Sequence, residues 1–189
     1  MSPEIFFDDF ERTENSDYLH GVFGRCLVIA TRFDSMCVRL SQAIKLKEDI
    51  KLRTLEKYLV KLDTENEIKT ITTDEDFDLL IKQITSRYLS LDKSIQNLGL
   101  PEQLSTKLHK ARKSRNEIAH SLTKDLEGCL DTKIDNSIII EKIVKLIGDI
   151  IDGDIIISTL TSIFNNKPIL NIKILNQYKE KIIHWVIAQ

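Results

Sequence analysis

Glycine and proline are scarce: 189 residues hold six Gly and three Pro. An all-β fold needs frequent turns that draw on both, so this composition argues against one. Cysteine is scarcer still. Cys26, Cys37 and Cys129 form no CxxC pair and do not sit near His at metal-ligand spacing. An odd, sparse set fits a reducing cytosol rather than a disulfide framework, and each reads as a small buried hydrophobe. No run of ~18 apolar residues occurs. The nearest, Ser137 to Phe164, is interrupted by Glu141, Lys142, Lys145, Asp149, Asp152 and Asp154. The opening MSPEIFFDDFERTE is acidic and lacks a basic segment followed by an apolar one, so it does not read as a signal peptide. The expectation is a soluble, cytoplasmic chain with no membrane association. No P-loop, GxGxxG or nucleophile elbow is present.

What is present suits a globular protein: 42% hydrophobic and 30% charged residues, with a net charge of −2. The length fits a single domain spanning 1–189 with a substantial core. Within it, 1–16 reads as an acidic N-terminal segment and 137–189 as C-terminal helices that complete or extend the bundle. The net charge excludes a globally basic coat but leaves room for a local basic patch.

The apolar pattern is helical almost throughout. Leu19, Val22, Cys26, Ile29, Phe33, Cys37, Leu40 and Ile44 recur in steps of three and four, which predicts one long helix over 17–47. Gly21 and Gly24 weaken its first turns. A shorter helix is expected over 48–62, with Ile50, Leu55, Leu59 and Leu62 inward, and then a polar, Thr-rich connection over 63–72. Thr73-Asp74-Glu75-Asp76 resembles a capping box. Phe77, Leu80, Ile84, Tyr88, Leu91, Ile95 and Leu98 continue from it at helical spacing, with Gly99 placed to end the helix in the left-handed conformation. Pro101 fits the first position of the next helix. So short a link predicts an antiparallel hairpin. After a loop with Gly128 and Asp135-Asn136 as turn signals, patterning resumes near Ser137, where Gly148 and Gly153 suggest a division into two pieces. Asn165-Asn166-Lys167-Pro168 is a break. A last amphipathic helix follows over 170–188, with Ile174, Tyr178, Ile182, Trp185 and Val186 inward. These readings predict an all-α, up-and-down bundle of about five to six helices.

One helix carries chemistry. Leu104, Leu108, Ala111, Ile118 and Leu122 form its apolar stripe, with a gap of seven in which Arg115 stands where an apolar residue is expected. A guanidinium at the edge of a core needs a partner or an opening, because burying an unpaired charge is costly. At ~100° per residue, Ser105, His109, Arg112, Asn116, Ala119, His120 and Thr123 share a second, polar face. Asn116 and His120 are one turn apart and therefore neighbours. The approach to them is basic: Lys107, His109, Lys110, Arg112, Lys113 and Arg115, with no acid from Ser105 to Arg115. Such an island attracts phosphate.

Arginine and histidine together suit metal-free RNA cleavage. The ribose 2′-OH is itself the nucleophile. A histidine moves the proton. A guanidinium neutralises charge developing on the phosphate through forked hydrogen bonds, and Asn116 is placed to orient the phosphate or the histidine. The products would be a 2′,3′-cyclic phosphate and a 5′-OH. One such histidine is few for proton transfer at two oxygens, and two chains bringing their motifs together would supply a second.

Arg115-Asn116-Glu117-Ile118-Ala119-His120 resembles the R-x4-6-H motif of the HEPN superfamily, including the polar residue that often follows its Arg. The resemblance covers 74–124 and the long first helix. It implies a HEPN-like bundle of four or five helices and a metal-independent endoribonuclease of toxin–antitoxin, abortive-infection or phage-defence systems. The implied site is composite, formed across a homodimer, with Arg115 and His120 catalytic and Asn116 auxiliary. It needs no cofactor and no metal. Lys107, His109, Arg112 and Lys113 are the expected RNA-binding residues. The implied partners are RNA, a second copy and an antitoxin or defence-system protein. One departure stands out: Leu122 occupies the position, two after the His, where HEPN toxins paired with a minimal nucleotidyltransferase often carry a Tyr that the partner modifies. Two other readings stand beside the nuclease. One is a catalytically silent HEPN-like module binding RNA, a nucleotide or a protein. The other is a helical adaptor in which the motif arose by chance.

The remaining polar clusters read as structural. His20 and His184 are scattered. Asp8, Asp9 and Glu11 have no metal-site spacing. Asp149, Asp152 and Asp154 flank Gly153 like part of a calcium loop, but no Glu follows at EF-hand spacing.

Overall fold

A computed structural model describes residues 14–63, 82, 89–122, 124, 136–169 and 171–188, with 53–63 as backbone alone. The protein is an all-α helical bundle. Among the described residues there is no strand and there are five helices: α1 (Glu14–Asp63), α2 (Leu91–Gln96), α3 (Glu102–His120), α4 (Asn136–Phe164) and α5 (Ile172–Ile187). None of them is long and apolar enough to cross a membrane.

The chain forms two compact units, one of Met1–Phe33 with Lys107–Gln189, the other of Asp34–Thr106. In the first, Leu19, Val22, Cys26, Ile29 and Phe33 are buried, as their spacing predicts, together with Leu108, Ala111 and Ile118 of α3, Ile143, Ile147, Ile150, Ile151 and Ile157 of α4, and Val186 of α5. In the second, Cys37 and Leu40 are buried, as are Leu91, Ile95 and Leu98.

Polar contacts fix the helix directions in the first unit. Asn136 and Asn15 are hydrogen-bonded near the starts of α4 and α1, and Arg32 reaches Asp154 further along both, so α1 and α4 run parallel. Lys110 meets Asp149 while Glu117 meets Lys142, an order that makes α3 antiparallel to α4. The phenol of Tyr178 donates to Asp154 at 2.8 Å, and Lys179 pairs with Asp152 at 2.7 Å. At the far end of α5, Arg25 donates to the carbonyls of Val186 (2.9 Å) and Ala188 (2.8 Å), and Tyr18 donates to that of Ile187 (2.9 Å). These bonds satisfy carbonyls that a helix end otherwise leaves unmatched.

Several boundaries differ from those the sequence predicts. α1 runs unbroken through Lys47 and Glu48. Nothing there terminates a helix, and the apparent break is a shift in apolar face: Ile50, expected inward, is exposed. Pro101 precedes the first turn of α3 rather than beginning it, its carbonyl accepting from Leu104 and Ser105, both at 3.0 Å. α4 is continuous through Gly148 and Gly153. On α5, Ile174 and Trp185 are exposed rather than inward; Val186 alone of the expected set is fully buried.

Other signals hold. Gly99 is left-handed at φ 59. The Asn165–Pro168 break is a helix stop: Asn166 takes φ 53, its N–H donates to Ile163, and the Lys167 N–H donates to Ser162, the paired bonds of a Schellman ending. The helix expected over 77–98 is not continuous: Leu89 and Ser90 are non-helical, and Ser90, extended at φ −63 and ψ 151, caps α2 by accepting from the Lys93 N–H. Its portion before residue 89 lies outside the described residues except Lys82, as do the Thr73 capping box and the Gly128 loop.

Candidate functional site

α3 positions every residue of the expected site. Leu108, Ala111, Ser114 and Ile118 are its buried positions, and Leu122 is buried just beyond its end. The gap in the apolar stripe is therefore filled by Ser114, not by Arg115. A serine is tolerated there because its hydroxyl donates to Asp149 Oδ2 at 3.1 Å, which satisfies the buried oxygen. Arg115 is rotated to the rim of the stripe, where it is half-buried.

That rotation sets the presentation of the motif. Arg115 Nη1 donates to Asn116 Oδ1 at 3.2 Å, so these two side chains are joined. Asn116 and His120 are exposed one turn apart, His120 being the last residue of α3. On the preceding turns Lys107 and Lys113 are exposed, and His109 and Arg112 are half-buried. All seven residues singled out from the sequence thus lie on one rigid helix, with Arg115 and Asn116 in contact.

Reading α3 alone misses the counter-charges supplied by α4. Asp149 Oδ1 pairs with Lys110 Nζ at 2.7 Å. Its hydrogen bond and its negative charge raise the pKa of Lys110. One cation of the basic approach is therefore offset by a residue 39 positions later in the chain. Conversely, Lys142 Nζ pairs with Glu117 Oε1 at 2.8 Å, offsetting the one acid inside the motif. The signal was available in principle. Lys110 and Glu117 are seven apart, as are Lys142 and Asp149, and the lysine comes first in both pairs, the order that matches opposite charges across two antiparallel helices.

The three aspartates near Gly153 do not converge. Asp149 faces α3, Asp152 pairs with Lys179 of α5, and the buried Asp154 is held by Tyr178 and Arg32. Burial, followed by the charge and hydrogen bond of Asp154, pushes the Tyr178 phenol up to about 12. Among the described residues, no group of three or more His, Cys, Asp or Glu is arranged to hold a metal ion. His20 and His184 are exposed on α1 and α5.

Compared with known proteins, the chain matches no family model, no curated protein and no solved structure.

Proposed function

We propose that this chain is a metal-independent endoribonuclease of the HEPN type, acting as a toxin or anti-phage defence effector. The observation that carries the reading is the accessible cluster at the end of α3, where Arg115 is bonded to Asn116 and His120 follows one turn later. In the proposed reaction the ribose 2′-oxygen attacks phosphorus and the bond from phosphorus to the 5′-oxygen breaks. The 2′-OH proton passes to a histidine, and the leaving 5′-oxygen takes one up. The products are a 2′,3′-cyclic phosphate and a 5′-OH end. Arg115 stabilises the pentavalent phosphate, and Asn116, fixed by Arg115, orients it. His120 serves one proton transfer, and His120 of a second copy serves the other in a homodimer. Lys107, His109, Arg112 and Lys113 hold the RNA backbone leading to the site.

The test is cleavage of total RNA in EDTA by wild type, Arg115→Ala and His120→Ala. The expected result is wild-type cleavage with cyclic phosphate ends, reduced about 10²–10⁴-fold in each variant. Thermal stability should stay within roughly 0.5 kcal/mol of wild type, because neither side chain fills the core. RNA binding without cleavage in any preparation would replace this reading by a silent binding module. Cleavage undiminished in both variants would remove the motif from the chemistry altogether.

A further inference from the structure

Residues 155–179 contain no Asp or Glu, although 29 of the 189 residues of the chain are acidic. The part of α4 within them, 155–164, carries no charge of either sign. Lys167 and Lys173 follow, both exposed. Among the described residues no carboxylate pairs with either of them, whereas Lys179 is held by Asp152. α4 and α5 are antiparallel, since Asp152 and Asp154 meet Lys179 and Tyr178 in reverse order, and the loop joining them closes one end of the hairpin. Caps fix this elbow. The left-handed Asn166 ends α4, and Asn171 starts α5 by accepting from the Lys173 N–H at 2.6 Å. Ile163, Ile169 and Ile172 stand at the elbow 52%, 57% and 76% exposed. Ile169 and Ile172 fall between the two lysines in sequence. Single exposed apolar residues are ordinary, but a group of them at one place marks a contact.

We infer that the α4–α5 elbow rests on a lipid surface bearing anionic headgroups, with Ile163, Ile169 and Ile172 at the acyl boundary and Lys167 and Lys173 at the headgroups. Charge complementarity and side-chain type decide the occupant. A second copy fits poorly, because two elbows would bring like charges together. A protein partner fits less well than lipid: protein interfaces favour Tyr, Trp and Arg and are poor in Lys, and 163–174 has two Lys and none of the other three. A bilayer takes aliphatic side chains at its boundary, while lysine stems lie along them and the ammonium groups meet lipid phosphate. Among the described residues no helix is long and apolar enough to cross a membrane. A contact at the interface does not need one, so the lack of a long apolar run excludes spanning and not this contact. The elbow is also remote from the α3 motif. Lys142, the partner of Glu117, precedes Ile163 by 21 residues on α4, about 32 Å along the helix. Lipid at the elbow therefore leaves the motif accessible, and the inference does not depend on the nuclease reading.

Co-sedimentation of the full chain with vesicles tests this. The vesicles are phosphatidylcholine alone, or phosphatidylcholine with about one third phosphatidylserine. The proteins are wild type, the double variant Ile169→Ser/Ile172→Ser and the double variant Lys167→Gln/Lys173→Gln. Wild type should bind the anionic vesicles, and the neutral ones at least about tenfold more weakly. On anionic vesicles the lysine variant should lose about ten- to thirtyfold in affinity, at about fivefold per lysine. The isoleucine variant should lose at least about tenfold on the same vesicles. If wild type ignores anionic vesicles, the inference is overturned and an acidic protein becomes the occupant to seek. An isoleucine variant that binds like wild type would reduce the contact to adsorption by charge and remove the insertion. A lysine variant that binds like wild type would move the contact away from the elbow, with the basic face of α3 as the next place to look. Circular dichroism melts verify that both variants fold, as expected for substitutions at exposed positions.

Discussion

Gly153 of α4 and Ala111 of α3 approach so closely that a methyl group on Gly153 would stand 2.6 Å from the Ala111 Cβ. It would also stand 2.8 Å from Cε2 of Phe33 on α1. α3 and α4 thus meet with only the Ala111 methyl between them, and the Phe33 ring of α1 closes the same point. Gly153→Ala should destabilise the protein by about 1–3 kcal/mol through overpacking, although alanine is the better helix former by about 1 kcal/mol. Urea denaturation measures the sign. A stabilised variant would mean that the helices separate easily there. Because Ala111 lies one turn before Arg115, the proposed RNA cleavage should fall as well.

Asp149 holds α3 in the rotation that buries Ser114 and brings Arg115 to the rim. Asp149→Ala removes the acceptor of a buried hydroxyl, which costs about 1–3 kcal/mol. In a double-mutant cycle, adding Asp149→Ala to Ser114→Ala should cost measurably less than it does in wild type. Strict additivity would show that the 3.1 Å contact contributes nothing.

The end of α5 is held by Arg25. Replacing it with Met keeps the aliphatic stem but removes both donors to Val186 and Ala188. The expected loss is about 1–3 kcal/mol. Amide exchange should accelerate first in the last turn of α5. Unchanged exchange there would argue that Tyr18 and the packing of Val186 suffice.

Alkaline pH should unfold this protein through two identified groups. Burial pushes the Cys26 thiol from 9.0 up to about 12, and Tyr178 rises from 10.0 to about 12. At neutral pH both are protonated in the folded and unfolded chains, so neither makes stability depend on pH. Above the unfolded values, the unfolded chain releases these protons while the folded chain retains them, and stability falls until the folded values are reached. The window is therefore 9–12 for Cys26 and 10–12 for Tyr178. Between about pH 8 and about pH 11, Cys26→Ala and Tyr178→Phe should each lose less stability than wild type. Equal losses in all three proteins would assign the alkaline transition to other groups.

The helical class was legible because apolar residues at steps of three and four leave a helix few alternatives. The same spacing identified Leu19 to Phe33, Leu108, Ala111, Ile118 and Leu122 as core. Local stop signals were equally readable. Gly99 and Asn166 take the left-handed conformation where the chain needed it, since a stop depends only on neighbouring residues. Periodicity went astray where two faces compete. It gave the buried place to Arg115 when Ser114 holds it, and it turned Ile174 and Trp185 inward.

What the sequence by itself determined is therefore local: helix content, most stop points, and the placing of Arg115, Asn116 and His120 on one helix. Tertiary structure decided what each polar residue faces. Gly153 is small because α1 and α3 press against it, not because α4 breaks there. Asp149 and Lys142 look like ordinary surface charges in the sequence, yet they meet Lys110 and Glu117 across an antiparallel helix pair. A sequence pattern encodes which face of a helix is apolar, but the rotation and register of two packed helices emerge only when their side chains interlock. Those two quantities place the charges around the motif.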